Sequence, residues 1–294
     1  MIQRYSGYLF VLLAAWSWGL LGILSKFLLV HGVHPLETAF WRAAFGALLF
    51  GAHSFAVGTL RIQRKADAGA FALFGIFCIA GFFAAYQYSV RHSGAAVAAV
   101  LLYTAPAWVA VFSRLIFKER ITPLKVAAIA TALAGAAFVS FSGGGQAEVV
   151  APLGVLCGLL AGLAYSFHYI FSKIYLARYS AATIYCLSMT VGAVVLLPLV
   201  PFAAKTPLDW LTAFLLGLVC SYVAYLAYCA GLRRLSPVRT VVLATLEPIF
   251  AVIMAWIVWD ERFTLFGWIG AGLILAAVLL IVGEKDKTET PAGS

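Results

Sequence analysis

Apolar stretches of about 20 residues follow one another from Gly7 to Val282, separated only by short polar breaks. A helix rises about 1.5 Å per residue, so such a stretch crosses roughly 30 Å of hydrocarbon. Barrel strands would instead alternate polar and apolar positions over about ten residues, which this chain does not do. Proline marks many of the breaks. His34-Pro35, Thr122-Pro123, Ala151-Pro152, Thr206-Pro207 and Ser236-Pro237 each place proline at a first helical position, several behind a Ser or Thr cap. The pattern predicts ten spans: Gly7–Leu29, Leu36–Ala56, Ala70–Val90, Gly94–Ile116, Pro123–Phe141, Pro152–Tyr175, Ala181–Pro201, Leu208–Ala230, Pro237–Val258 and Leu265–Val282.

Composition agrees with this pattern. With 64% hydrophobic and 11% charged residues, the chain has too little polar surface to cover a water-soluble globule. Its first run is too long for the core of a secretory signal and is read as a span. The net charge of +9 would point a soluble protein toward nucleic acid, but here the charges lie in loops and no nucleic-acid partner is expected. Five cysteines, Cys78, Cys157, Cys186, Cys220 and Cys229, fall inside apolar runs without C-x-x-C spacing, so neither a disulfide framework nor a metal site is expected. No nucleotide-binding motif is present, and no cofactor is expected.

Charge placement orients the spans. With both termini cytoplasmic, the inner loops hold Arg4, Arg61, Arg64, Lys65, Arg114, Lys118, Arg120, Lys125, Lys173, Arg178, Arg233, Arg234, Arg239, Lys285 and Lys287. The outer loops hold Lys26, Arg91, Lys205 and Arg262, and Arg42 stays within a span. This asymmetry follows the positive-inside rule and fits an even number of spans.

The second half echoes the first. Gly7 and Ser25-Lys26 match Gly154 and Ser172-Lys173 at an offset of 147. Tyr86, Arg91, Pro106, Glu119-Arg120 and Thr122 match Tyr228, Arg233, Pro248, Glu261-Arg262 and Thr264 at an offset of 142. The change of five falls where the loop Gly58–Gly69 is replaced by the shorter Ala203–Pro207. Each unit has five spans, an odd number, so the second enters the membrane from the opposite side. The expected fold is therefore an all-α integral membrane protein: ten transmembrane helices in two inverted five-helix repeats around a central cavity. Residues 1–145 form the first repeat, 146–284 the second and 285–294 a short cytoplasmic tail.

Trp18-Gly19 followed by Lys26, Arg42, the run from Pro106 to Glu119-Arg120-Ile121-Thr122, and Leu246-Glu247-Pro248 followed by Asp260-Glu261-Arg262-Phe263-Thr264 resemble the EamA-type drug/metabolite transporter superfamily. The resemblance spans essentially the whole chain and is closest to the YddG-type bacterial exporters of aromatic and other neutral amino acids. It implies export rather than uptake, from the cytoplasm across a bacterial inner membrane. Two positions break the repeat: Met189 stands where Arg42 maps and Ala105 where Glu247 maps, so neither charge has a symmetric role.

Several side chains are candidates for transport. Glu247, well inside the ninth span, is read either as a substrate-amine or proton-coupling group or as a bonded carboxyl that holds a broken helix together. Pro106 and Pro248 each free the carbonyl four residues earlier, at Leu102 and Ala244, and are expected as paired hinges or fixed kinks. Trp18, Tyr86, Tyr103, Tyr165 and Tyr225 lie mid-membrane rather than in interfacial belts. Together they can line a cavity for an amphipathic zwitterion, or pack as ordinary aromatics. His168 is read as a carboxylate or proton partner, or as a histidine bonded to a neighbouring helix. Arg42 is read as a carboxylate contact, as snorkelling outward, or as the partner of Glu37. Gly154, Gly158, Gly162 and Ser166 make a flat ridge for close helix packing. Lys26 and Lys173 are expected to snorkel from span ends.

The expected function is secondary transport of neutral amino acids or related small metabolites by alternating access, with the lipid bilayer as surroundings and a monomer sufficing. A sugar-nucleotide carrier, a multidrug exporter and a passive facilitator stand as alternatives. An intramembrane enzyme would need a metal cluster or a paired acid and nucleophile, and none is visible.

Overall fold

The computed structural model describes residues 2–141, 151–259 and 264–284. These form helices joined by short connections, with no strand among the described residues. In the first half, α1 (Ile2–Val30) and α2 (Pro35–Ala56) precede α3 (Lys65–Phe74), which runs through a π-helical stretch, Gly75–Gly81, into α4 (Phe82–Leu102). The half is completed by α5 (Ala105–Ile116) and α6 (Pro123–Phe141). In the second half, α7 (Pro152–Tyr175) and α8 (Ala181–Leu196) precede α9 (Pro207–Leu215), a second π-helical stretch, Leu216–Val223, and α10 (Ala224–Arg234). Then follow α11 (Pro237–Ala244), α12 (Glu247–Trp259) and α13 (Leu265–Gly283).

Among the described residues, nine helical stretches are long and apolar enough to cross a membrane. The remaining expected span, α2, has 22 residues, a length of about 33 Å, but carries Glu37 and Arg42 within its apolar run. Both polar side chains are bonded inside the protein, which makes so polar a helix tolerable there. The order of elements recurs at the offset read from the sequence: π-helical stretches at 75–81 and 216–223, and proline-led restarts at 105 and 247. The matched pair Glu261-Arg262, the expected division at 145/146 and the tail 285–294 lie outside the described residues.

The third and fourth expected spans are present as Lys65–Val90 and Val97–Ile116, with helical backbone continuing through residues 91–96 between them. The chain nevertheless reverses there, because a Cβ on Gly158 would lie 2.7 Å from both Ser89 Oγ and Leu101 Cβ. In a straight helix those two residues would stand about 18 Å apart. Three expectations are corrected. Pro106 and Pro248 do not kink continuous helices: α4 stops at Leu102 and α11 at Ala244, and new helices start three residues later, at Ala105 and Glu247. Lys173 does not snorkel, since its ammonium donates to the carbonyls of Leu232 (2.6 Å) and Leu235 (2.9 Å) at the end of α10. Arg239, counted among loop cations, is fully buried in α11, where it donates to Tyr8 Oη (3.0 Å) and to the Glu284 carbonyl (2.7 Å). These cations sit inside because helix ends and the last residues of α13 supply acceptors that hydrocarbon lacks.

The glycine ridge of α7 packs against this reversal. A Cβ on Gly154 would fall 2.0 Å from Ser93 Oγ, and one on Gly162 2.6 Å from Thr104 Oγ1. Only hydrogen at these positions lets α7 approach the end of α4 and so places Tyr165 and Tyr169 beside the first helix break.

Candidate functional site

Both helix breaks open onto one internal space. At the first, Tyr103 and Thr104 form the turn between α4 and α5; at the second, Thr245 and Leu246 form the turn between α11 and α12. Pro106 and Pro248 are the second residues of their helices, where a missing N–H costs little. Each turn is tied back by a threonine hydroxyl: Thr104 donates to Leu101 O and Thr245 to Val242 O, both at 2.6 Å. Between the breaks lies a small pocket lined by Tyr103, Pro106, Tyr165, Tyr169, Val241, Ala244 and Thr245.

Tyr103, Tyr165 and Tyr169 make part of this lining aromatic; Trp18, Tyr86, His168, Tyr225 and Glu247 are not among its lining residues. Tyr169 donates to Tyr165 Oη (3.1 Å), one helical turn away on α7. Trp18 of α1 meets Tyr165 (6.5 Å) and Tyr225 (5.6 Å) edge to face, which joins three of the sequence candidates in one cluster. Tyr86 and Tyr103 are half-buried, and Tyr86, Tyr103, Tyr165, Tyr169 and Tyr225 all lie within range of the Glu247 charge. His168 is 1% exposed and stacks on Tyr225 (5.7 Å). Its Nε2 lies 2.7 Å from the Cys78 carbonyl, and since a carbonyl only accepts, Nε2 carries the proton.

The charges divide sharply. Among the described acidic residues, Glu37, Asp67, Glu119 and Glu284 are each engaged by a cation, and Asp209 by the His31 ring. Glu247, the first residue of α12, forms neither hydrogen bond nor ion pair among the described residues, and Arg42 is the cation whose field reaches it. Arg42 is not paired with Glu37. Its Nε donates to Ser221 Oγ (3.2 Å) and its Nη2 to Cys220 O (3.2 Å), and its guanidinium lies 5.0 Å from the centre of the Phe83 ring. Glu37 is instead held by Lys205 and by the Ala203 N–H.

Cys78 and Cys220 occupy matching places in the two π-helical stretches. A π turn leaves a carbonyl without its ordinary helical partner. In the first half His168 takes up that carbonyl, and in the second Arg42 does. Both side chains therefore fasten a span to the widened turn of another.

A family model described as the EamA-like transporter family matches residues 5–141 and, a second time, 152–283. The chain belongs to the EamA-like transporter family. It is a multi-pass membrane transporter and not an enzyme. Its relatives include an uncharacterized transporter of Archaeoglobus fulgidus, 28% identical and covering 89% of this chain and 92% of that one. Another is a probable terminal-alkyne amino-acid exporter of Streptantibioticus cattleyicolor, 27% identical over 87% of this chain and 95% of that one. The uncharacterized inner membrane transporter YicL of Salmonella typhimurium is 24% identical, covering 94% of each chain. A solved crystal structure shares the fold, with TM-score 0.81 at 20% identity, over 94% of this chain and 96% of its own.

Within this EamA-like bundle, sequence reasoning missed Tyr169, Val241 and Thr245 of the cavity lining. Tyr169 follows Tyr165 by four positions and so shares its helix face, a signal available from spacing alone. Thr245 is the repeat-mate of Tyr103 at the offset of 142, so mapping one break onto the other would have found it.

Proposed function

We propose that this EamA-like transporter is a secondary carrier that exports neutral amino acids, aromatic and otherwise apolar, or closely related metabolites. It works by alternating access between two inverted halves, residues 1–145 and 146–284. Glu247 takes the substrate ammonium, and the wall of Trp18, Tyr86, Tyr103, Tyr165 and Tyr225 takes the apolar side chain. His168 holds that wall, and Pro106 and Pro248 are the hinges. Both termini face the cytoplasm of a bacterial cell, and the chain lies in its inner membrane, acting as a monomer.

The observation that carries this reading is the unpaired carboxyl group of Glu247 amid tyrosines, while each of the other described acids has a basic side chain against it. An ionisable group left without a partner inside a membrane bundle marks a pathway for a charged ligand group. Paired interruptions facing one cavity near mid-span are the arrangement in which carriers hold substrate. The amino-acid exporter among the relatives points the same way. A sugar-nucleotide carrier would need cations in the cavity, and Arg42 is already tied to Cys220 and Ser221.

Counterflow of labelled Phe, Met and Thr into proteoliposomes, beside a nucleotide sugar and with and without a pH gradient, tests the proposal. Amino acids are expected to enter and the nucleotide sugar is not. Glu247→Gln is expected to weaken apparent affinity about ten- to a hundredfold, the worth of one charge-assisted contact. Uptake of the nucleotide sugar alone, or an unimpaired variant, would overturn the substrate reading.

A further inference from the structure

Of the charged contacts that cross between the halves among the described residues, two match. His31 Nδ1, just after α1, lies 2.5 Å from Asp209 Oδ1 at the third residue of α9. Arg178 Nη2, just after α7, lies 3.5 Å from Asp67 Oδ1 at the third residue of α3. His31 maps onto Arg178 at the offset of 147, and Asp67 onto Asp209 at 142, so each pair is the repeat-image of the other with donor and acceptor halves exchanged. Their exposures match as well: 38% and 31% for the cations, 3% and 7% for the acids.

Spans that alternate in direction put the end of span one and the start of span eight on one face. The end of span six and the start of span three then fall on the other. We infer that His31–Asp209 and Arg178–Asp67 are the two gate clasps of the transporter, one at each membrane face, and that opening either face breaks its own clasp. This rests on the alternating-access reading. The surroundings fit clasps. At the His31 end, Glu37 of α2 holds Lys205 and the Ala203 N–H from the connection before α9, and Thr206 donates to Asp209 Oδ2 (2.8 Å). At the Arg178 end, Tyr179 donates to Asp67 Oδ2 (2.7 Å) and Gln63 Nε2 to Arg178 O (2.7 Å). Both clasps are closed here, on either side of the small pocket between the helix breaks.

The test needs no substrate. A cavity reporter, Thr245→Cys, is labelled with a membrane-impermeant maleimide in right-side-out and in inverted vesicles of the full-length chain. The same chain without the reporter measures background from the native cysteines. His31→Ala is expected to raise labelling roughly fivefold from the periplasmic face only, and Arg178→Ala by a similar factor from the cytoplasmic face only. A purely structural role would loosen both faces alike. Equal rises from both faces, or none with either variant, overturn the clasps, while counterflow measured separately decides the substrate reading.

Discussion

Glu37 is fully buried at the start of α2, yet Lys205, the Ala203 N–H (3.0 Å) and Trp41 Nε1 (3.1 Å) all donate to it. Lys205 is 4% exposed and lies 5.1 Å from the centre of the Trp210 ring, so its charge depends on this one carboxylate. Truncating one member of a shielded pair leaves the other charge buried alone. Glu37→Ala is therefore expected to cost about 3–5 kcal/mol, read as a lowered thermal unfolding midpoint in detergent. A loss below about 1 kcal/mol would mean that the pair behaves like an exposed one. The pair was not legible in the sequence, where Arg42 looked the nearer partner. What decides it is a loop more than 150 residues downstream folding over α2, a contact that local spacing does not encode. Glu247, Tyr165 and Trp18 were legible because a polar or amphipathic group inside an apolar run has few structural excuses.

At the scale of the helices, proline announced where strands of hydrogen bonds would fail, and the carbonyls expected to be freed, Leu102 and Ala244, are where α4 and α11 end. The two π-helical stretches had no such signal. Gly75 opens the first and Gly217 is the second residue of the other, but widening a turn depends on what packs against it, and glycine alone does not specify it. The ridge of α7 offers the sharper test. A side chain at Gly162 would meet Thr104 Oγ1 at 2.6 Å and the Leu101 carbonyl at 2.7 Å, both at the first break. Gly162→Val should cost about 1–3 kcal/mol through overpacking, and slow counterflow beyond what the stability loss explains, because it pushes α7 away from the break. Gly22→Ala, with no atom within 4 Å of the added carbon, is expected to leave both the unfolding midpoint and transport unchanged.

For the whole molecule, the sequence repeat was legible as matched residues at two offsets, but its consequence needed coordinates. Asp67 and Asp209 are matched at one offset and His31 and Arg178 at the other, so the crosswise pairing emerges only once the halves are seen against each other. Because the two pairs are images of each other, their acids test the symmetry as directly as their donors do. Asp209→Asn is expected to raise labelling of the Thr245→Cys reporter from the same face as His31→Ala, and Asp67→Asn from the same face as Arg178→Ala. The double variants should add little to either single one, since both changes break one and the same contact. A rise from the opposite face, or fully additive effects within a pair, would mean that the two members act apart and that neither pair fastens its face.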